Sequence, residues 1–470
     1  MAKKMTMGVV VGNRGFFPDA LAKTGREEIM RALEQAGMAC VVLGPDQSKH
    51  GAVETHDEAK RCAELFRKHR DQIDGVIVTL PNFGDERAVA DTLRLADLKV
   101  PVLVQASPDV AGSMTAQHRR DSFCGKISVC NNLRQYRIPF SLTALHTVHP
   151  EAPPFRKDLE WFAGVCRVAN GLRGLRIGAI GARPAAFNTV RYSERILESS
   201  GISVETLDLS EVFGRIGRLK DTDEGVVAKL RDIRAYVPGN VPEAALLKMA
   251  KLGHVVDAWM RATDVTITAI QCWTSMEEYL GVMPCTVMSM LSNGLLSSAC
   301  ETDVCGALSM HALTLAAETP SALLDWNNNY GDDPDKVVCF HCSNLPKHFF
   351  KEARMHYGEI IATSVGQANA CGTVAGRVKA GPMSYARLST DDVAGGLRGY
   401  VGAGSFTDDP LATFGGAGVA HIPRLQELMR FVCENGLEHH VAANLGEVAG
   451  AVHEAVTRYL GWDVRLHGAA

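Results

Sequence analysis

Strands and helices alternate along the first hundred residues, and the strands have no polar face. Residues 7–11, 38–43, 74–80 and 100–104 are near-continuous apolar runs, and between them 18–37, 59–70 and 86–96 carry apolar residues at helical spacing. A strand without a polar face must be covered on both sides, so the pattern predicts a parallel sheet with helices on each face. A second round follows. Helices are expected at 157–169, 190–199, 242–262 and the methionine-rich 282–294, with strands at 175–181, 203–207 and 264–273. After Asp325 the character changes: short strands are predicted at 336–342, 373–380, 383–388 and 398–401, glycine is frequent, and helix returns only at 423–433 and 445–461. The expected fold is two consecutive α/β parallel-sheet domains, 1–155 and 156–322, followed by a β-rich C-terminal domain, 323–470.

In such sheets ligands bind beyond the carboxyl ends of the strands. Segments 12–15 and 81–84 lie there, as do Gln271 and Trp273 at the end of the 264–273 run. The glycines of the first turn lack the full dinucleotide fingerprint, and Arg14, Phe16 and Phe17 crowd the place of a pyrophosphate, which argues against a nicotinamide dehydrogenase. A polar segment, 118–126, contains His118, Arg119, Arg120 and Lys126; it reads as a solvated loop or helix start, or as a loop reaching a neighbouring active site.

Composition narrows the class. A net charge of −4 with no basic stripe gives no polyanion-binding signal. The opening Met1–Thr6 leads straight into a strand, with no export signal and no run long enough to span a membrane, so a cytoplasmic protein is expected. The 13 cysteines are scattered and odd in number, as expected of reduced, buried thiols. Cys339 and Cys342 form a C-x-x-C, but no second pair stands at zinc-site spacing.

Chemistry concentrates in 298–325. Glu301 ends a short small-residue run, a helix is predicted from Val304, and Asp325 closes the apolar run 322–324. Two carboxylates at the ends of apolar elements are costly to bury unpaired, which points to a shared cation or to acid–base work. The plain alternative makes Glu301 a helix cap and Asp325 the start of a turn before three asparagines. Adding His341 and His439 or His440 gives carboxylate and imidazole donors that suit a divalent first-row metal such as manganese.

These residues carry a resemblance. The segments 121–125 and 138–140, the Cys300-Glu301-Thr302-Asp303 motif, Asp325 at 24 residues beyond Glu301, and the late His439-His440 pair resemble the L-fucose isomerase and L-arabinose isomerase superfamily over nearly the whole chain. The resemblance implies a metal-dependent aldose–ketose isomerase with Mn2+ held by Glu301, Asp325 and His440. The second histidine is preferred because it is the ligand in the arabinose-type pattern, and His341 falls near a further arabinose-type ligand. Glu301 and Asp325 are also the implied acid–base pair for an ene-diol route. Arg14, Gln271, Trp273 and His439 are the implied substrate contacts, Arg14 serving a neighbouring subunit of a homo-oligomer, by resemblance a hexamer. Two departures bear on the sugar: the chain is shorter than a typical L-fucose isomerase, and His439 stands where the fucose enzymes tend to have Asn. An anionic sugar such as a sulfonated hexose is the alternative substrate, given the cations at 14 and 118–126. A non-catalytic sugar-binding protein is a competing class, since consecutive α/β domains also build such proteins.

Overall fold

A computed structural model describes residues 4–468. Two compact units make it up. The first runs to Asn170 and takes in Glu454–Gly461; the second runs from Gly171 to His453 and resumes at Trp462.

The first unit holds a five-stranded parallel sheet of β1 (Thr6–Val11), β2 (Ala39–Val42), β3 (Gly75–Leu80), β4 (Val102–Ala106) and β5 (Ser141–Leu142), in the order β2-β1-β3-β4-β5. The apolar runs become strands because β1, β3 and β4 are buried almost throughout. Segment 118–126 resolves into the start of a helix, Ser122–Gln135. Its cations are largely spoken for. Arg119 pairs with Asp121 at 2.7 Å, the Arg120 guanidinium donates to the Pro81 carbonyl, and Lys126 is buried with its Nζ donating to Thr143 Oγ1 at 2.7 Å.

The second unit combines a small parallel sheet with a large mixed one. The former orders β6 (Arg176–Ile180), β7 (Ser203–Leu207), β8 (Ile267–Ile270) and β9 (Ser298–Ala299) as β7-β6-β8-β9. The latter has nine strands: β10 (Ser321–Asn329), β11 (Lys336–His341), β12 (Phe350–Tyr357), β13 (Cys371–Val378), β14 (Gly381–Asp391), β15 (Gly396–Thr407), β16 (Gly416–His421), β17 (His440–Asn444) and β18 (Asp463–Leu466). Six of them, β16-β11-β10-β17-β14-β15, close on themselves, because β15 also pairs antiparallel with β16. A closed ring leaves no unpaired edge among those six strands. The β12–β13 ribbon joins it through β16, and β18 lies parallel on β15. The architecture is therefore two parallel α/β sheets and then a β-rich region, as the strand pattern predicts.

Differences in detail have physical reasons. The strand expected to stop at Asp325 continues to Asn329, since Asn328 and Asn329 pair with Val338 and Val337 of β11. Cross-strand pairing overrides the turn preference of asparagine. Expected as short strands, β14 and β15 span 11 and 12 residues as one long hairpin. Helix Val304–Ala317 is buried nearly all round rather than on one face, because it is enclosed by both sheets of the unit. Helices Leu209–Arg218 and Glu224–Tyr236 carry no place in the sequence reading. Among the described residues, no helix is long and apolar enough to cross a membrane.

Candidate active site

The ends of β8, β9, β11 and β17, the middle of β10 and one tight turn bring the candidate residues of the second unit together. Glu301 follows β9, and both Glu301 and Thr302 have left-handed backbones, φ 56° and 55°. Two consecutive non-glycine residues in that region cost about 1–3 kcal/mol each and are typical of functional turns. Here they turn the chain from β9 into helix Val304–Ala317, whose N-cap is Asp303 accepting from Gly306 N at 2.8 Å. Asp325 lies in mid-β10, directly opposite His440 of β17. His341 ends β11.

The side chains converge tightly. Glu301 Oε2 is 3.4 Å from His440 Nε2 and 3.5 Å from His341 Nε2; Asp325 Oδ1 is 3.4 Å from the same His440 nitrogen and 3.8 Å from His439 Nε2. Both carboxylate oxygens are buried without a hydrogen-bond partner. A buried orphan oxygen is expensive, and two of them facing imidazole nitrogens make a donor set that could hold a divalent cation. The other Glu301 oxygen accepts from Trp273 Nε1–H at 3.1 Å, which fixes the carboxylate.

His440 is itself held. Its Nδ1–H donates to Asp303 Oδ2 at 2.8 Å, so its Nε2 faces Glu301 and Asp325. Behind Asp303 stands Arg387, fully buried, donating to both Asp303 oxygens at 2.6 and 3.0 Å and lying 2.9 Å from Glu438. An orienting carboxylate behind a histidine sets its tautomer and raises its basicity as a ligand.

Electrostatics point the same way. Burial alone would raise the Glu301 carboxyl, but the His341 and His440 charges with the Trp273 hydrogen bond hold it at about 2. Burial opposes charge on His440 and His341 as well, yet Asp303, Glu301 and Asp325 raise the one, and Glu301 above all the other. The buried carboxylates thus favour positive charge at the centre of the cluster. His439 is pushed down, first by burial and then by the charge of His440.

An aromatic wall adjoins the cluster. Phe187, on the loop after β6, has its ring centroid 5.4 Å from His439, 5.5 Å from His440 and 5.7 Å from Trp273. Gln271 anchors that loop, its Oε1 accepting from Ala182 N at 2.8 Å.

The fold thus gathers Glu301, Asp325, His341, His439, His440 and Trp273 at one place, with Gln271 at its margin. Arg14 belongs to the first unit, where its Nε donates to the Gly84 carbonyl, its guanidinium pairs with Glu86 and it lies 4.1 Å from the Phe83 ring centroid. Sequence reading gave no role to Asp303, Arg387, Glu438 or Phe187. Asp303 and Glu438 do sit within two residues of Glu301 and His440, and that proximity was the one available signal.

Residues 8–173 match the family described as "Fucose/sulfoquinovose isomerase, N-terminal domain", and residues 339–467 match "L-fucose isomerase, C-terminal domain". The chain belongs to the fucose isomerase-like superfamily. It is accordingly an aldose–ketose isomerase; Glu301 and Asp325 fall between the two matched segments, and His341, His439 and His440 fall within the C-terminal one. Among curated relatives, a protein named "Sulfoquinovose isomerase" from Priestia megaterium is 24% identical over 345 residues, 73% of each chain. Relatives of the same name from Alkalicoccus urumqiensis and a Clostridium species are each 23% identical, over 57% and 48% of this chain and 59% and 50% of their own.

Proposed function

We propose that Glu301, Asp325 and His440, with His341 beside them, hold a divalent cation such as Mn2+ and that this site interconverts an aldose and its ketose. The observation that carries the reading is the pair of buried, unpartnered oxygens on Glu301 and Asp325, both 3.4 Å from His440 Nε2. Carboxylate and imidazole donors suit Mn2+. Bound there, the cation would supply Lewis acidity toward the two sugar oxygens.

The protein's own groups do the proton work. One carboxylate takes the hydrogen of C2 as a proton while O1 gains one, leaving an ene-diol. The proton is then returned at C1 as O2 gives up its own. Trp273 keeps Glu301 aimed, and Phe187 offers an apolar surface to the carbon chain.

We infer further that the sugar carries an anionic group of the sulfoquinovose kind. The relatives' names favour this over neutral L-fucose. On the loop that carries Phe187, neither Arg183 nor Arg191 has an acidic partner among the described residues; Arg183 donates to the carbonyls of Pro184 and Ala185. One screen tests the whole reading: neutral and sulfonated aldoses assayed for ketose formation with Mn2+ and after chelation. Turnover of sulfonated hexose that stops on chelation, with a preference weakened in Arg183→Met, is expected. Cation-independent turnover would sink the metal site, and a preference for neutral sugars would sink the anionic substrate.

Within the histidine pair the two roles separate. His440→Ala is expected to lose metal and turnover with the β-barrel still folded, whereas His439→Ala keeps metal and alters KM. Metal content and KM of the purified variants check this, and the reverse pattern would overturn the assignment.

Assembly is part of the proposal. The first unit exposes Phe16 at 83%, and Phe123 at 59% and Ile127 at 56% one turn apart on helix Ser122–Gln135. A homo-oligomer, of hexameric size by resemblance, would cover them and bring Arg14 to a neighbour's site. Sedimentation velocity is expected to show no active monomer.

A further inference from the structure

Thirteen cysteines show no metal spacing along the chain, but the fold gathers four of them behind Glu301. Cys272 follows β8, Cys300 follows β9, Cys285 opens helix Cys285–Asn293, and Cys342 follows β11. All are free thiols, and the first three are completely buried. Burial opposes ionisation of the Cys300 thiol, and the neighbouring Cys272 and Cys285 add to that. Cys342 Sγ is 3.9 Å from His341 Nδ1. Ligand atoms of Cys272, Cys300 and Glu301 all lie within 4.8 Å of one another. Around a tetrahedral zinc with Zn–S near 2.3 Å, two sulfurs stand about 3.8 Å apart, so a small contraction of this cluster suffices.

A buried cysteine is ordinarily a small apolar residue with no partner requirement. That account covers each thiol singly. It does not cover the convergence of thiols from separate elements on one ionised carboxylate. Thiolates select softer cations than the carboxylates and imidazoles on the other side of Glu301.

We propose that Cys272, Cys300 and Glu301 form a second cation site, which takes a thiophilic divalent ion such as Zn2+ or Cd2+ and shares Glu301 with the His440 cluster. Binding releases the two thiol protons to solvent and changes no oxidation state. Glu301 cannot serve both sites fully, so a soft ion here weakens the harder cation's hold and inhibits the isomerase; this consequence rests on the reading of Glu301 as a ligand given above.

The test uses full-length, reduced protein in which the exposed Cys124 and Cys433 are replaced by serine, with Cd2+ as the probe. One Cd2+ per chain is expected to give the ultraviolet thiolate-to-cadmium charge-transfer band. In Cys272→Ser and Cys300→Ser the band should shrink. Cd2+ affinity should fall by at least the roughly 10–100-fold that even an outer-shell partner is worth, and inhibition should shift to higher Cd2+ by a like factor. Where a serine variant folds poorly, the cadmium-113 resonance of the parent protein reports sulfur ligation directly. No band with Cd2+ bound, a band unchanged in both variants, or a cadmium resonance typical of oxygen and nitrogen ligands would overturn the site. Inhibition unshifted while the band is lost would overturn the sharing of Glu301. Should no aldose be isomerised with any cation while the band and its loss still appear, the active-site reading fails and the thiolate site stands.

Discussion

Glu301→Gln and Asp325→Asn are each expected to yield a folded protein with turnover reduced about 10²–10⁴-fold or more. Both keep the size of the side chain and an oxygen donor, and remove charge and basicity. Were either carboxylate only a cap, its loss would cost about 1 kcal/mol of stability and leave catalysis alone. A general acid or base is worth roughly 10²–10⁴-fold in rate, and weaker metal binding adds to that. Glu301 Oε2 and Asp325 Oδ1 accept no hydrogen bond, and the amide oxygen of Glu301→Gln can keep the one from Trp273, so the fold's hydrogen bonds survive the substitutions. Excess Mn2+ is therefore expected to restore little, and exchange of the C1 or C2 hydrogen with solvent should vanish with turnover. A variant that isomerises at near wild-type rate under saturating Mn2+ would remove that residue from the acid–base role. Turnover without solvent exchange in the parent protein would instead favour a hydride shift between the two carbons.

Asp303→Asn should be nearly as damaging, by another route. Asp303 is fully buried between Arg387 and His440, and strong pairing with Arg387 keeps its carboxyl well below the usual range even though burial pulls the other way. Neutralising it leaves the buried guanidinium with Glu438 as its one remaining carboxylate. Breaking a buried pair in this way costs about 3–5 kcal/mol. The amide can also donate to His440 rather than accept, which places the imidazole proton on the nitrogen that faces Glu301 and Asp325. Metal affinity should then fall by about 10–100-fold. Urea midpoints and metal titrations measure the two effects separately. The double variant Asp303→Asn/Arg387→Met is expected to be less destabilised than the sum of its single variants, since both single variants lose the same Asp303–Arg387 pair. An unchanged midpoint together with unchanged metal affinity in Asp303→Asn would refute the positioning role.

What the sequence revealed depended on how local the cause was. The strands of the first sheet are continuous apolar runs, and burial on both faces follows from that alone. Glu301 and Asp325 stood out as carboxylates beside apolar elements, and the late histidine pair was visible as a pair. Arg387 was not visible, because its meaning lies in Asp303, 84 residues away. Phe187 looked like any loop aromatic until the fold set it beside His439 and Trp273. The thiols show the same limit: no interval between Cys272, Cys285, Cys300 and Cys342 carries information, since four separate elements deliver them. In β10, the asparagines misled because the pairing of Asn328 and Asn329 with β11 is a property of the hairpin and not of the residues.

Strand alternation gives the site a reading frame. Along β10 and β17 the pairs Ala322–Ala443 and Leu324–Val441 enter the barrel core, while Asp325–His440 falls on the opposite face, the one where Leu323 meets Gly306 of helix Val304–Ala317. A slip of one position exchanges the two faces. It would set Leu324 in the place of Asp325 beside Glu301 and drive a carboxylate into the apolar interior. Because the six strands close into a ring, a slip in one pair cannot be absorbed at a free edge and must be matched around the circle. Within Ser321–Asp325 a single-residue insertion or deletion is thus expected to turn the site inside out, whereas just beyond it the bulge at Asn327 already absorbs one extra residue without disturbing the Asp325–His440 pair.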